Sequence, residues 1–519
     1  MKTRTSLILC ALAVLGLVAV QPAHAATITW GVAGSGDWNT TTANWTGGAT
    51  TFTDGGVDDV IFDNIAGGTI TISAGMSPLT TTVSAASGTY TFSGGPIDSG
   101  SLTKSNGGTL VLSSANTYAG GTTVTGGSLT LSNKNGLGSG TVTLAGGTNF
   151  KTQDFEGNNS GGALPNAFVL SGGKVNVDVS FGDAKDIWIN TPVSGPGGFF
   201  ITGSDQRNPG LMLSGPKTFQ DGVTLGNGSK VTIDNAASLG TGTLRSEIKG
   251  GWNEVGLKAD ANIDTGGGVP NAIEIATDAF LRVNTNGNNL LLSGKITGDG
   301  KLYKTNSGTL TLSGANTYKG DTKVDAGTLQ VGNNLALQNS ALDTSGAGSL
   351  AFSAGINTPT FGGLTGSTNL TLPSNVTALT LNPGKDVTKT YSGILGSATP
   401  GMTLTKTGLG TQVLASANTY TGDTTVSEGT LSVMSAFFDN DSTVYILNGA
   451  VLNLNHAAMD DILYLYLGGE MRNVGIYDAS TPGGYLSGTG SLFVLAPEPA
   501  TLALLGLGGL GLILNRKRR

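Results

Sequence analysis

Apolar and polar positions alternate in short runs through the body of the chain, as in "GGTLVLS" and "GTVTLAGG", and each run closes on Gly, Asn or Asp. A period of two over four to six residues predicts half-buried β-strands joined by tight turns. No convincing stretch between the chain ends carries the 3.6-residue period of an amphipathic helix. Leu110, Leu112, Val124, Leu129 and Leu131 are expected to point inward, with the Thr and Ser between them facing water.

The runs recur in a larger unit. "SLTKSNGGTLVLSSANTYAGGTTVTGGSLTLSN" (101–133), "KLYKTNSGTLTLSGANTYKGDTKVDAGTLQVGN" (301–333) and "TLTKTGLGTQVLASANTYTGDTTVSEGTLSVMS" (403–435) are copies of one block. A degenerate fourth, "GLMLSGPKTFQDGVTLGNGSKVTIDN" (210–235), has Lys217-Thr218-Phe219 where the others have Asn-Thr-Tyr. Aligned on the aromatic, Tyr118, Phe219, Tyr318 and Tyr420 are 101, 99 and 102 residues apart. Self-similarity at a fixed period, built from short strands, predicts a stacked β-solenoid. A single turn cannot bury its own apolar face, whereas stacked turns share one core and pair backbones along the axis at about 4.8 Å per turn. The repeats then make roughly twenty turns of ~20 residues, a rod on the order of 100 Å long. Within a block, Asn116 is expected to bond its own turn or join an asparagine ladder, and Tyr118 to cover a corner with its hydroxyl in water.

The two ends have a different pattern. Lys2 and Arg4 precede fourteen mostly apolar residues, Leu7 to Val20, and then Ala23-His24-Ala25. A basic start, a short apolar run and a small-x-small site predict a secretory signal peptide, residues 1–25, cleaved after Ala25. At the other end, residues 496–519 hold Pro497-Glu498-Pro499, an apolar run from Thr501 to Leu514 and a basic cluster. As a helix those fourteen residues measure roughly 21 Å against a hydrocarbon core of about 30 Å, too short for a comfortable permanent span. The parts between are a leader and first turns (26–100), the repeats (101–435) and a C-terminal β module (436–495).

Composition sharpens this picture at three points. Glycine, 84 of 519 residues, falls between apolar alternations, so it marks corners rather than disorder. Setting aside the six basic and one acidic residues of the two ends leaves 21 basic against 33 acidic, a net charge of −12, which argues against nucleic acid as a partner. Loss of residues 1–25 removes Cys10 and His24, leaving one histidine and no thiol, so no disulfide or cysteine-bearing zinc site is expected.

The block "GTLxLSGxNTYxGxTxVxxGTLxV" resembles the autotransporter-associated β-strand repeat of secreted bacterial surface proteins. The resemblance implies an all-β, right-handed parallel β-helix. The opening "TWGVAGSGDWNTTTANWTGG" is similar to the leader of such proteins, and the segment from Leu452 to their terminal module. Autotransporters end in a membrane β-barrel, and the roughly sixty residues between the repeats and the tail leave no room for one. The tail resembles the PEP-CTERM sorting signal, with Pro497, Glu498 and Pro499 as its motif. This implies an exosortase as partner and a short hydrophobic sorting helix inserted transiently in the membrane, its basic end cytoplasmic.

Chemistry-bearing residues are sparse. His456 stands alone in "LNLNHAAMDD", without a nucleophile elbow or a second histidine, and is expected to be structural. Asp58, Asp59 and Asp63, and Asp460 and Asp461, are acidic candidates for glycoside hydrolysis or calcium binding; turn and cap roles are expected. Trp30, Trp38 and Trp45 either cover the open first turn or stack on sugars, and the cap is expected. No cofactor, metal or catalytic residue is assigned. The expected protein is an exported, non-enzymatic rod of the cell surface or extracellular matrix of a Gram-negative-type bacterium, structural or adhesive, with exopolysaccharide as a matrix partner. The alternative is a carbohydrate-binding or polysaccharide-degrading β-helix, which a cluster of Asp or Glu with Lys or Arg across consecutive turns would favour.

Overall fold

A computed structural model describes residues 26–495 apart from 65, 74, 154–161, 181–185, 204–209 and 251–254. The signal segment with Ala23 and Ala25, and the tail with Pro497, Glu498, Pro499 and the expected sorting helix, lie outside the described residues. Every regular element among the described residues is a β-strand, and no helix there is long and apolar enough to cross a membrane. The strands wind into a β-solenoid of about 18 turns, slightly fewer than the spacing predicts.

Turns pair in parallel with matched register. Tyr90, Leu110, Leu129, Phe150, Val177 and Ile201 form one continuous inward column through successive ladders, and all are buried. Alternation along each strand gives the same result locally: Thr109–Leu112 hides Leu110 and Leu112 and turns Thr109 and Val111 outward. Each such leucine contributes about 2–3 kcal/mol by leaving water.

Several turns carry a strand on each of three faces, and three of them define the cross-section: Ile187–Ile189, Val193–Ser194 and Gly198–Thr202; Phe280–Asn284, Asn289–Leu292 and Ile296–Gly298; Ala378–Leu381, Thr388–Tyr391 and Leu395–Ser397. Calling these faces I, II and III in that order, the first turns use II and III, the middle ones I and III, and the later ones I and II. The repeat block therefore rotates about the axis. Its "TLxL" strand lies on face III at Thr109–Leu112, on I at Leu211–Leu213, and on II at both Thr309–Leu312 and Thr411–Leu414.

Antiparallel strands finish the parallel stack. Trp45–Gly47 pairs antiparallel with Thr27–Trp30 at the first turn. Glu470–Met471 and Gly475–Tyr477 do the same near the last. Such pairing ends the repeating ladder and limits edge-to-edge growth.

The three tryptophans fill the first turn. Trp30 and Trp45 meet edge to face at 5.2 Å, Trp38 lies 5.6 Å from Phe52 and 5.5 Å from Phe62, and each indole is at most 2% exposed. Buried rings cannot stack on a sugar, so the cap is the role this placement serves. Their indole N–H groups have no hydrogen-bond partner among the described residues, a local cost outweighed by the apolar area removed from water. Trp38→Ala is expected to destabilise the chain by about 3–5 kcal/mol, read as a lower denaturation midpoint; an unchanged midpoint would show that the cap is dispensable.

Candidate functional site

The repeat block places its recurring polar residues inside the solenoid. In the strand "SLTK", Leu102 points inward, and two residues on, by the same parity, so does Lys104. Lys104, Lys304 and Lys406 are all 0% exposed. An ammonium has three donors, and each here meets three backbone carbonyls. Lys104 Nζ donates to Ser105, Asn106 and Gly126 at 2.7, 2.9 and 3.1 Å. Lys304 Nζ reaches Thr305, Asn306 and Ala326 at 2.9, 2.5 and 3.1 Å. Lys406 Nζ reaches Thr407, Gly408 and Glu428 at 2.9, 2.8 and 3.0 Å. Two acceptors belong to the lysine's own corner and the third to the corner one turn on, so the side chain pins successive turns together.

The corner needs glycine there. Gly127 and Gly327 both have φ +71°, and a Cβ on either would stand 2.6 or 2.7 Å from the caged Nζ. No carboxylate side chain bonds these lysines, and burial pushes all three down to about 8 from 10.5. The carbonyl oxygens compensate the ammonium as dipoles.

Two further devices complete the lattice. The Asn116 amide receives the Ile97 N–H at 2.8 Å and donates to the Gly136 carbonyl at 2.7 Å, tying a turn to both neighbours. Asn316 repeats this with Ile296 and Ala336. Asn418 receives the Leu395 N–H but donates to Ser416 in its own turn. At Asn116 turn-to-turn bridging thus replaces both the own-turn bond and the ladder offered as alternatives, although an Asn149–Asn176 contact of the ladder kind exists elsewhere. The tyrosine expectation needs correction: Tyr118, Tyr318 and Tyr420 are buried, and their hydroxyls meet those of Thr122, Thr322 and Thr424 at 2.6, 2.5 and 2.8 Å rather than water. The ring fills the corner interior, and the threonine four residues on satisfies its oxygen.

The degenerate block shows that these positions form a set. Phe219 replaces the tyrosine, Val223 stands where Thr122 does, and by register Ile201 takes the place of Lys104. All three are buried and apolar. Lys217, at the asparagine position, donates instead to the Ser214 carbonyl.

The other residues singled out by sequence do not converge. Asp58 accepts from the Thr53 N–H at 2.7 Å, Asp59 from the Thr80 hydroxyl at 2.5 Å, and Asp63 is exposed. Asp460, its carboxyl pushed up by burial, caps the Phe437 and Phe438 N–H groups at 2.7 and 3.0 Å; its neighbour Asp461 points the other way. The His456 ring is half-buried beside Gly490, with neither nitrogen hydrogen-bonded. Among the described residues no group of three His, Cys, Asp or Glu side chains could hold a metal. One mixed-charge groove, of about 220 Å³, does cross consecutive turns on face I, lined by Asp186, Trp188, Met212, Thr232, Lys258 and Asp260. Lys230 pairs with Asp186 at 3.3 Å beside it, and the Trp188 N–H is taken by Ser214 Oγ at 2.7 Å.

Comparison with known proteins agrees with the interior lattice. Residues 102–131, 302–331 and 404–433 match the Passenger-associated-transport-repeat, the three blocks that hold a caged lysine. Residues 495–519 match the PEP-CTERM protein-sorting motif. Over 197 residues, 37% of this chain, the sequence is 29% identical to the "Adhesin BmaC autotransporter" of Brucella suis biovar 1 (strain 1330). That stretch spans 5% of the adhesin's length. No solved structure matches the chain. The chain is thus an exported, cell-surface β-solenoid with autotransporter-type repeats and a sorting tail.

The caged lysines give stability an unusual pH dependence. The unfolded chain holds these three protons up to about pH 10.5, and the folded chain releases them near 8. More protons on the unfolded state means that stability rises with pH through this window. Above pH 10 the buried phenols, held above their usual value (Tyr318 at about 12), reverse the trend. The thermal midpoint should therefore climb from pH 8 to a maximum near 10, and substituting Lys104, Lys304 and Lys406 together by Ile should flatten the climb. A wild-type midpoint that falls steadily above pH 8 would contradict this.

Proposed function

We propose that the chain is a non-enzymatic structural or adhesive rod of the bacterial surface or extracellular matrix, cleaved after Ala25, delivered by exosortase acting at Pro497-Glu498-Pro499, and held in exopolysaccharide. The proposed division is a leader with first turns (26–100), repeats (101–435), a closing β module (436–495) and a tail (496–519) that inserts transiently in the membrane. The observation that supports this most is the use of the recurring polar residues. Lys104 and Asn116, with their counterparts, tie turn to turn inside the solenoid, Tyr118 and Thr122 satisfy each other there, and none presents a reactive group to solvent. The autotransporter adhesin relative and the sorting motif are consistent with it.

Fractionation of the native host with and without its exosortase tests the sorting step. The mature protein should lose its tail and reach the surface or matrix only when exosortase is present. An intact C-terminal mass in both strains would overturn the sorting reading.

The Trp188 groove supports carbohydrate binding as a second reading, since an indole beside paired Asp and Lys side chains offers a sugar one apolar face and several hydrogen bonds. On that reading the chain is retarded by host exopolysaccharide in affinity electrophoresis and Trp188→Ala abolishes the retardation. Equal mobility of the two proteins in gels with and without polysaccharide would remove it.

A further inference from the structure

The last three-stranded sheet, Met459–Ile462, Ser491–Val494 and Gly475–Tyr477, differs from the rest of the solenoid in what it turns outward. Its inward residues are ordinary: Asp460, Ile462, Leu492 and Val494 are buried. Outward, Met459 pairs across to Ser491, Phe493 lies opposite Ile476, and the antiparallel register carried one step further sets Leu495 opposite Val474. Met459, Val474, Ile476, Phe493 and Leu495 thus share one face, and Asp461, paired directly with Phe493, stands on it beside them. Ile476 is 62% exposed, Met459 52%, Val474 48% and Leu495 40%. The corresponding outward positions of the repeats, Thr103, Tyr303 and Thr405 in one strand and Val111, Thr311 and Val413 in the next, are half-buried and mix polar with apolar residues.

The chain leaves the structure through this face. Leu495 belongs to it, and the apolar run of the tail begins at Thr501. The five residues 496–500 reach about 17 Å at most when extended. If the tail inserts as proposed above, with its basic end across the bilayer, the closing sheet is held within that distance of the lipid headgroups. An apolar patch beside a headgroup layer gains by burying its side chains in the interface, as amphipathic surface elements do.

We propose that the outward face formed by Met459, Val474, Ile476, Phe493 and Leu495 is a lipid-contact surface that lays the closing turn of the solenoid on the membrane while the tail is inserted. This rests on the tail-insertion reading and adds to it a second contact within the folded body. The face then orients the rod at the bilayer and holds the Pro497-Glu498-Pro499 segment at the headgroup level, where a membrane protease can reach it.

The mature chain, residues 26–519, carries no cysteine, so a single introduced thiol gives one probe site. An environment-sensitive fluorophore is attached to Ile476→Cys, to Leu505→Cys in the tail, and to Asn289→Cys as an exposed control on face II. Each protein is mixed with vesicles of phosphatidylethanolamine and phosphatidylglycerol. The expected result is blue-shifted emission at 476 and 505 and none at 289. A shift at 505 with aqueous emission at 476 would overturn the surface and leave tail insertion standing. Aqueous emission at 505 would overturn both. A blue shift at 476 already present without vesicles would assign the face to the tail folded back or to a second copy of the chain, and so overturn the lipid contact.

Discussion

Parallel pairing in matched register sets each inward side chain directly against its counterpart one turn away, about 4.8 Å along the axis. This constraint decides which residues the interior tolerates. Apolar columns such as Leu110, Leu129 and Phe150 meet it by contact alone. A polar residue in the interior finds its nearest partners in its own corner or in an adjacent turn. Lys104, Asn116 and Tyr118 each satisfy that condition in a different way: three carbonyls, one amide N–H with one carbonyl, and one hydroxyl. The block recurs as a unit because its interior parts answer one another. Where Phe219 and Val223 replace the bonded tyrosine and threonine, both oxygens leave together and no orphan remains.

The same constraint explains how much of the structure was legible in the sequence. Alternation and the hundred-residue spacing sufficed for the all-β solenoid, because they report the two periods that build it. Leu110, Leu129 and the three tryptophans lie where their pattern places them. Tyr118 was misread because an aromatic with a hydroxyl at a corner is ordinarily amphipathic; its acceptor, Thr122, sits four residues away with nothing local to mark the pair. The lysines were overlooked although the signal was present. "SLTK", "KLYK" and "TLTK" each put a charge two residues after an inward leucine, where alternation demands burial, in three copies. The third carbonyl comes from the next turn, some twenty residues on, where no local pattern marks it. The groove at Trp188 brings together residues more than seventy positions apart, so no local motif announces it.

Both ends of the stack are handled by departures from parallel pairing, but with different side chains. The first turn is closed by buried aromatics under an antiparallel strand. The last is closed by antiparallel strands whose outer surface stays apolar. One end therefore resembles a finished core and the other an interface awaiting its counterpart, which gives a repetitive rod a chemical polarity that its repeats lack.

The rotation of the block about the axis bears on avidity. A flat partner laid along one side would meet equivalent block surfaces at the third and fourth copies, both on face II and five turns apart, or roughly 24 Å. The first two copies point to other sides. Linked weak contacts multiply only when geometry lets them engage together. Valency along any single side is thus about two, and the rod is better suited to being surrounded by a mesh of flexible strands than to zippering against one stiff surface.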